Sequence, residues 1–161
     1  MKKVFFIIAI FITAFSQKTF AQDSTTQKQS QLSQLLTSYY NIKDALVAGN
    51  ATSASAGANQ FVKTASDINY KVISEGSISA LLKDARKISE SKDIDRQREI
   101  FASFSIDMFA LAKAVKLTSQ PVYEVYCPMK KAYWLSSEKA IKNPYFGSDM
   151  LTCGEVAETL Q

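Results

Sequence analysis

The chain contains no histidine, and this absence excludes whole classes of chemistry. Catalysis by a Ser-His-Asp triad or by a Cys-His pair is ruled out, and so is every metal site with imidazole ligands. The sequence also lacks a glycine-rich phosphate-binding loop and a nucleophile elbow. We therefore expect a protein that is not an enzyme.

Glycine, proline and cysteine are also scarce, with five, three and two residues in a chain of 161. Because glycine and proline interrupt regular helices, their scarcity favours a helical protein. The two cysteines are Cys127 and Cys153. In an exported chain, two cysteines indicate either one disulfide or one site for a soft metal.

The first residues have the pattern of a signal peptide. Two lysines, Lys2 and Lys3, precede an apolar run at 4–15 that is too short to span a bilayer. We expect cleavage after Ala21 and a periplasmic or secreted protein with no membrane insertion afterwards, the alternative being an uncleaved N-terminal anchor. Cleavage would remove three lysines and lower the formal net charge from +4 to +1, so the sequence gives no support for a nucleic-acid partner.

After the signal peptide at 1–21, the polar residues 22–29 are expected to form a disordered leader, and 30–161 a single domain. Apolar residues at steps of three and four predict four amphipathic helices. We expect an all-α fold, with an antiparallel four-helix bundle at 30–117, because the links between the helices are short. The predicted helices cover about 30–48, 51–72, 78–89 and 93–116, and their predicted core aromatics are Tyr39, Phe61, Phe101 and Phe104.

Residues 121–161 do not continue the helical period, and we call them the C-terminal cap. A compact and mostly irregular structure is expected here, with a short β-hairpin between 122–126 and 131–136. A short helix is expected at 154–160. The cap contains both cysteines, the only tryptophan and two of the four methionines, so specific chemistry is expected in this segment.

Several motifs resemble the DUF3347 family of exported bacterial domains, whose function is unknown. In the C-terminal cap these motifs are YCPM at 126–129, WLS at 134–136, NPYFG at 143–147 and MLTCG at 150–154. Two helical motifs, YYNIKDAL at 39–46 and DIDRQR at 93–98, also look like those of the family. The resemblance extends over about 35–158 and implies membership of this family.

The resemblance also implies a biological context. Relatives occur alone and attached to adaptor subunits of heavy-metal efflux pumps. In addition, YCPM is similar to the Tyr-x-Cys-Pro-Met motif of heavy-metal-binding domains, although the intervening residue and the usual following histidine are missing. The family therefore suggests copper or another soft metal, with a metal-efflux adaptor or another periplasmic protein as the partner.

The sulfur-containing residues of the cap form a candidate metal site. Thiolate and thioether are soft ligands that select Cu(I) among physiological ions. The segments 127–129 and 150–153 each contain one cysteine and one methionine. Folding these two segments together would give a site with up to four sulfurs, and the face of the Trp134 ring could contact the bound cation. The candidate ligands are Cys127, Met129, Met150 and Cys153.

Two other interpretations of the same cysteines stay open. A Cys127–Cys153 disulfide would close a loop of about 27 residues and contribute roughly 3–4 kcal/mol in the chain-entropy model. Met129 and Met150 would then belong to the core, and Trp134 would be a packing anchor. The third interpretation is a redox-switched site, in which the same two thiols alternate between the two states.

A further pair, Asp93 and Asp95, has two interpretations. The two carboxylates could serve as a general acid and base, or they could stabilise the N-terminus of the fourth helix. The neighbouring Arg96 and Arg98 favour the second interpretation, a capped and ion-paired helix terminus.

Overall fold

The computed structural model describes residues 20–68 and 73–161, and within the first range it describes side chains from residue 26 onward. Four α-helices precede a three-stranded antiparallel sheet. The helices are α1 (Phe20–Val47), α2 (Ala51–Ser66), α3 (Glu75–Glu90) and α4 (Ile94–Ala114). The strands are β1 (Val122–Cys127), β2 (Ala132–Ser136) and β3 (Glu155–Leu160), and a 3₁₀ turn (Gly147–Met150) precedes β3.

Polar side chains determine where the central helices begin. The Asn50 side chain caps α2 by accepting a hydrogen bond from the Ser53 N–H at 2.9 Å, directly after Gly49 has ended α1 with a positive φ of 68°. Asp93 caps α4 by accepting from the N–H groups of Asp95 and Arg96. The capping interpretation of Asp93 is thus confirmed.

Three predicted boundaries were wrong. The helix α1 begins at Phe20, so the segment 22–29 that was expected to be a disordered leader forms its early turns. The Gln29 side chain anchors this part by donating to the Leu117 carbonyl at 3.1 Å, a contact between distant residues that composition does not reveal. The helix α3 begins three residues early because Ser74 caps it. The helix α2 ends at Ser66, before the predicted end at 72, and 69–72 lie outside the described residues.

The C-terminal cap contains more regular structure than predicted. The expected hairpin is confirmed, since β1 and β2 pair antiparallel with Cys127 opposite Ala132. The helix expected at 154–160 was wrong, because this segment is the strand β3, paired antiparallel with the other edge of β1. The sheet order is β2-β1-β3, so β1 supplies backbone hydrogen bonds on both sides.

The core is aromatic, as predicted. Consecutive helices pack against one another, and α4 also packs against β2. The rings of Phe61 and Phe104 meet edge to face with their centroids 4.8 Å apart. The rings of Tyr39 and Phe101 stack with their centroids 5.2 Å apart. All four side chains are fully buried, and burying each contributes roughly 1.5–3 kcal/mol.

One side chain joins the helices to the sheet. The buried Tyr39 hydroxyl on α1 lies 2.7 Å from the Ser105 hydroxyl on α4, and it accepts the Leu135 N–H of β2 at 3.0 Å. Because burial removes the phenol from water, it raises the pKa of Tyr39 well above its usual value. The neutral hydroxyl therefore fixes the position of the C-terminal cap relative to the helices.

Within 20–68 and 73–161, none of the helices combines the length and the apolar character that a membrane span requires. Most of the predicted signal peptide lies outside these residues, which include only its last two positions.

Candidate functional site

The sheet register brings the two cysteines together. Cys127 is the last residue of β1, and the following turn is closed by the Lys131 N–H, which donates to the Cys127 carbonyl at 2.8 Å. On the other side of β1, Tyr126 pairs with Glu155 of β3. Cys153 lies two residues before Glu155 and thus beside Cys127.

The two thiols are in contact. Their sulfur atoms lie 3.8 Å apart, and both cysteines are present as free thiols, Cys127 buried and Cys153 half-buried. Two thiolates bound to one tetrahedral metal at about 2.3 Å each would also lie about 3.8 Å apart. A disulfide requires a sulfur–sulfur distance of about 2.05 Å, so the thiols would need to move closer to form one.

A buried amide contacts both cysteines. The Asn143 side chain is fully buried, and its Nδ2 group donates to Cys127 Sγ at 3.2 Å and to the Cys153 carbonyl at 2.7 Å. Its Oδ1 atom accepts from the N–H of Tyr145 at 2.8 Å and from that of Phe146 at 3.3 Å. Asn143 therefore holds the turn at 143–147 and both cysteine segments in one arrangement.

The two sulfurs have further N–H donors. The Lys130 N–H donates to Cys127 Sγ at 3.4 Å, and the Met129 N–H faces the sulfur of Cys153. Removal from water raises the pKa of the Cys153 thiol, and the neighbouring Cys127 raises it further, while the Met129 N–H opposes the shift. Cys153 is thus a protonated thiol at neutral pH, and a metal that binds it must displace a proton.

The two methionines of the candidate set differ from the cysteines in exposure. Met129 is 63% exposed and Met150 is 40% exposed. Their backbones nevertheless adjoin Cys153, because the Cys153 N–H donates to the Met150 carbonyl at 3.0 Å and the Met129 N–H faces the Cys153 sulfur. The structure thus brings the two thiols together and leaves both methionine side chains exposed.

Trp134 lies behind the cysteine segment and is buried. Its ring meets the Tyr145 ring edge to face at 6.0 Å and packs against Gly154, the residue after Cys153. A Cβ atom at Gly154 would lie 2.8 Å from the Trp134 ring, and the φ of 150° also favours glycine. Trp134 therefore serves as a packing anchor next to the thiols.

The described residues contain no cluster of three or more histidine, cysteine, aspartate or glutamate side chains arranged to hold a metal ion. The carboxylates nearest in sequence to Cys153 belong to Glu155 and Asp149, and both residues are exposed. Glu124, three residues before Cys127 on β1, is largely buried.

Arg98, in the helical motif at 93–98, connects α4 to the C-terminal cap. The Arg98 Nε group donates to the Pro144 carbonyl at 3.1 Å, and its Nη2 group donates to the Leu46 carbonyl at 3.2 Å. Gly147 fits against this guanidinium group, since a Cβ there would lie 2.7 Å from Nη2. Arg98 thus ties the end of α1 and the turn that contains Asn143 to α4, a role that the motif itself does not indicate.

A pocket of about 200 Å³ lies at a different place, between α1 and the connection from α4 to β1. Its lining consists of hydroxyl-bearing, amide and apolar side chains and includes no cysteine or methionine. The lining residues are Ser33, Leu36, Thr37, Tyr40, Thr118, Gln120, Pro121 and Ser137.

The chain is matched over residues 35–120 by the family described as protein of unknown function, DUF3347. This match covers more than half of the chain, so the chain belongs to that family, and the predicted membership is confirmed. The match ends just before β1, and the motifs of the C-terminal cap lie beyond it. No curated protein and no solved structure matches the chain.

Proposed function

We propose that this protein is a periplasmic or secreted domain, without enzymatic activity, that binds and handles Cu(I) or a related soft metal. The proposed ligands are the thiolates of Cys127 and Cys153 and the thioethers of Met129 and Met150. The observation that supports this proposal best is the 3.8 Å separation of the two thiol sulfurs. This separation fits two ligands of one metal ion with no change in the backbone.

The chemistry of the donors favours a soft monovalent ion. Thiolate and thioether select Cu(I), whereas zinc sites use thiolate, imidazole and carboxylate. The Asn143 amide and the Lys130 N–H both donate to Cys127, which is how hydrogen bonds outside the coordination sphere orient metal ligands. In this proposal Trp134 forms a rigid wall beside the metal, because its ring is packed against Gly154.

Helix packing supports the proposed scaffold, and family resemblance supports the proposed partner. The packing of consecutive helices through the short links at 48–50 and 91–93 supports an antiparallel bundle over about 30–117, with the cap at one side. Family resemblance supports a metal-efflux adaptor or another periplasmic protein as the partner that exchanges copper with the site.

A Cu(I) competition titration on reduced protein tests the proposal. The expected result is one Cu(I) per chain, with a preference over Zn(II). Because losing a ligand costs more than losing an outer hydrogen bond, Cys127→Ser and Cys153→Ser should each weaken binding by more than about 100-fold. Thr152→Ser is the matched control beside Cys153 and should bind like the wild type. Equal affinity in all four proteins would refute the thiol site.

The alternative function is that of a structural or protein-interaction domain stapled by a Cys127–Cys153 disulfide. The sulfur contact supports this alternative as well, since a modest side-chain rotation would shorten the separation. A free-thiol count on protein as isolated separates the two functions. An absence of free thiols, combined with no Cu(I) binding after reduction, would favour the staple.

A further inference from the structure

The two cysteines differ in how far solvent can reach them. Cys127 is fully buried, with 0% of its surface exposed, whereas Cys153 is half-buried. Because the reaction of a thiol depends on access, a dissolved molecule can react at Cys153, while the surrounding cap shields Cys127. The chain has no third cysteine, so any further thiol chemistry must take place between these two residues.

The cap holds the two sulfurs against each other, 3.8 Å apart. On one side, the Asn143 Nδ2 group and the Lys130 N–H donate to Cys127 Sγ at 3.2 and 3.4 Å. On the other side, the backbone at Gly154 approaches β1 so closely that a Cβ there would lie 3.0 Å from the Tyr126 carbonyl oxygen. A reaction between the two sulfurs is therefore intramolecular and needs only a side-chain rotation.

We infer that Cys153 is the residue at which a low-molecular-weight disulfide reacts with this protein, and that Cys127 then resolves the mixed disulfide. The resulting Cys127–Cys153 bond closes the metal site, because a metal binds the thiolate form of cysteine. Oxidation thus excludes copper, and reduction restores the site. The order of reaction follows from the exposure and contact of the two thiols, whereas the control of copper binding rests on the proposed function.

The exchange has two steps and transfers two electrons. In the first step, the Cys153 thiolate attacks one sulfur of the external disulfide, so that a new S–S bond forms, the external S–S bond breaks and one thiolate leaves. In the second step, the Cys127 thiolate attacks Cys153 Sγ, the Cys127–Cys153 bond forms, and the second external thiolate leaves. The protein gives two electrons to the external disulfide, and the protons of its two thiols pass through solvent to the leaving thiolates.

Reaction of the reduced protein with oxidised glutathione, followed by mass spectrometry, tests the order of the two cysteines. Cys127→Ala should accumulate a stable mixed disulfide with one glutathione at Cys153. Cys153→Ala should react at least about tenfold more slowly, because its remaining thiol is buried. The wild type should lose both thiols and retain no glutathione. In guanidinium chloride, which removes the difference in burial, the two variants should react at similar rates, and this is the matched control.

A second measurement needs no variant. The folded, reduced wild type is treated with limiting iodoacetamide, and the alkylated peptides are mapped by mass spectrometry. Cys153 should be alkylated first. Equal or preferential alkylation of Cys127 would overturn the inferred order, and so would equal rates of glutathione exchange in the two folded variants.

Cu(I) competition on the reduced and the glutathione-oxidised wild type tests the control of copper binding. Oxidised protein should bind at least about 100-fold more weakly, because both thiolate ligands are lost, and reduction should restore the affinity. Undiminished binding by the oxidised protein would overturn this control and leave the order of exchange intact. If the reduced protein binds no copper, the proposed function fails, while the glutathione and alkylation experiments still decide the order of the two cysteines.

Discussion

The Asn143 amide lies 3.2 Å from the sulfur of Cys127 and is fully buried with it. The same nitrogen lies 2.7 Å from the Cys153 carbonyl, so one side chain sets the distance between the two cysteine segments. Its oxygen is occupied by two backbone N–H groups of the turn at 145–146. Every polar atom of this amide is thus committed to holding the candidate site together.

Asn143→Ala should therefore damage both the fold and the site. Losing a buried amide that leaves its partners unpaired should lower the free energy of unfolding by about 2–4 kcal/mol. Copper affinity should fall by about 10–100-fold, as expected for a residue that orients a ligand. Chemical denaturation and Cu(I) competition measure the two effects. Lys142→Ala, at the exposed neighbouring position, should leave the free energy of unfolding nearly unchanged, and an equal loss in both variants would contradict this role.

Phe104 on α4 provides a test of the aromatic core. Its ring contacts those of Phe61 and Tyr39 and is fully buried, so Phe104→Ala should lower the free energy of unfolding by roughly 3–5 kcal/mol. On the same helix, Ile106 is 60% exposed, and Ile106→Ala should stay within about 0.5 kcal/mol. Urea denaturation of both variants checks the contrast. A loss below about 1 kcal/mol for Phe104→Ala would show that this side chain does not face the core.

Arg98 links three segments and should not tolerate replacement by lysine. Lysine keeps the charge but cannot donate to the Leu46 and Pro144 carbonyls at once with a planar fork. Arg98→Lys should therefore lower the free energy of unfolding by about 1–3 kcal/mol. Two residues earlier, Arg96 makes only an exposed ion pair with Glu99, and Arg96→Lys should be nearly neutral. Thermal unfolding that affects both variants equally would refute the bridging role of Arg98.

Glu124 should make stability depend on pH. This largely buried residue of β1 lies opposite Glu158 of β3 in the sheet, and burial followed by the Glu158 charge raises the pKa of its carboxyl. Because the carboxyl has a higher pKa in the folded protein than in the unfolded chain, its contribution to the free energy of unfolding is fully present below the unfolded-state pKa of about 4.3. This contribution is lost as pH rises through the folded-state pKa.

Glu124→Gln should accordingly stabilise the protein at pH 7 by up to about 1 kcal/mol, since it removes a like-charge pair across the strands. The gain should shrink as pH falls toward 4, where the wild-type carboxyl is protonated. Denaturation curves across this range provide the measurement, with the exposed Glu155→Gln as the matched control. A gain that does not change with pH would contradict the ionisation argument.

The sequence predicted the helices well because the features that define a helix, its apolar stripe and its capping residue, lie within the helix or next to it. Helix α4 shows an apolar stripe at helical spacing and a capping Asp93, and both appear in the structure. Strand β3 was missed because its partner β1 lies about thirty residues away, and its mixed, mostly exposed side chains show no alternation. The early turns of α1 were missed for a related reason, since Gln29 is anchored by Leu117.

Of the candidate site, the sequence indicated which residue types to consider, whereas their arrangement depends on the fold. Because the chain has two cysteines and no histidine, the sequence predicted that Cys127 and Cys153 would form a disulfide or a metal site. The sheet register does bring these two residues together. The methionines could not be placed from spacing alone, because exposure depends on how the two turns pack. The role of Asn143 was missed because a side-chain amide that hydrogen-bonds to sulfur leaves no pattern of spacing in the sequence.

X-ray absorption at the copper edge of the reduced, Cu(I)-loaded protein tests the central claim most directly. The account predicts a coordination shell made only of sulfur, which is lost in a Cys127→Ser/Cys153→Ser double variant. A shell containing nitrogen or oxygen would contradict the sulfur site. A sulfur shell that persists without both cysteines would equally contradict the thiol pair as the ligands that hold copper.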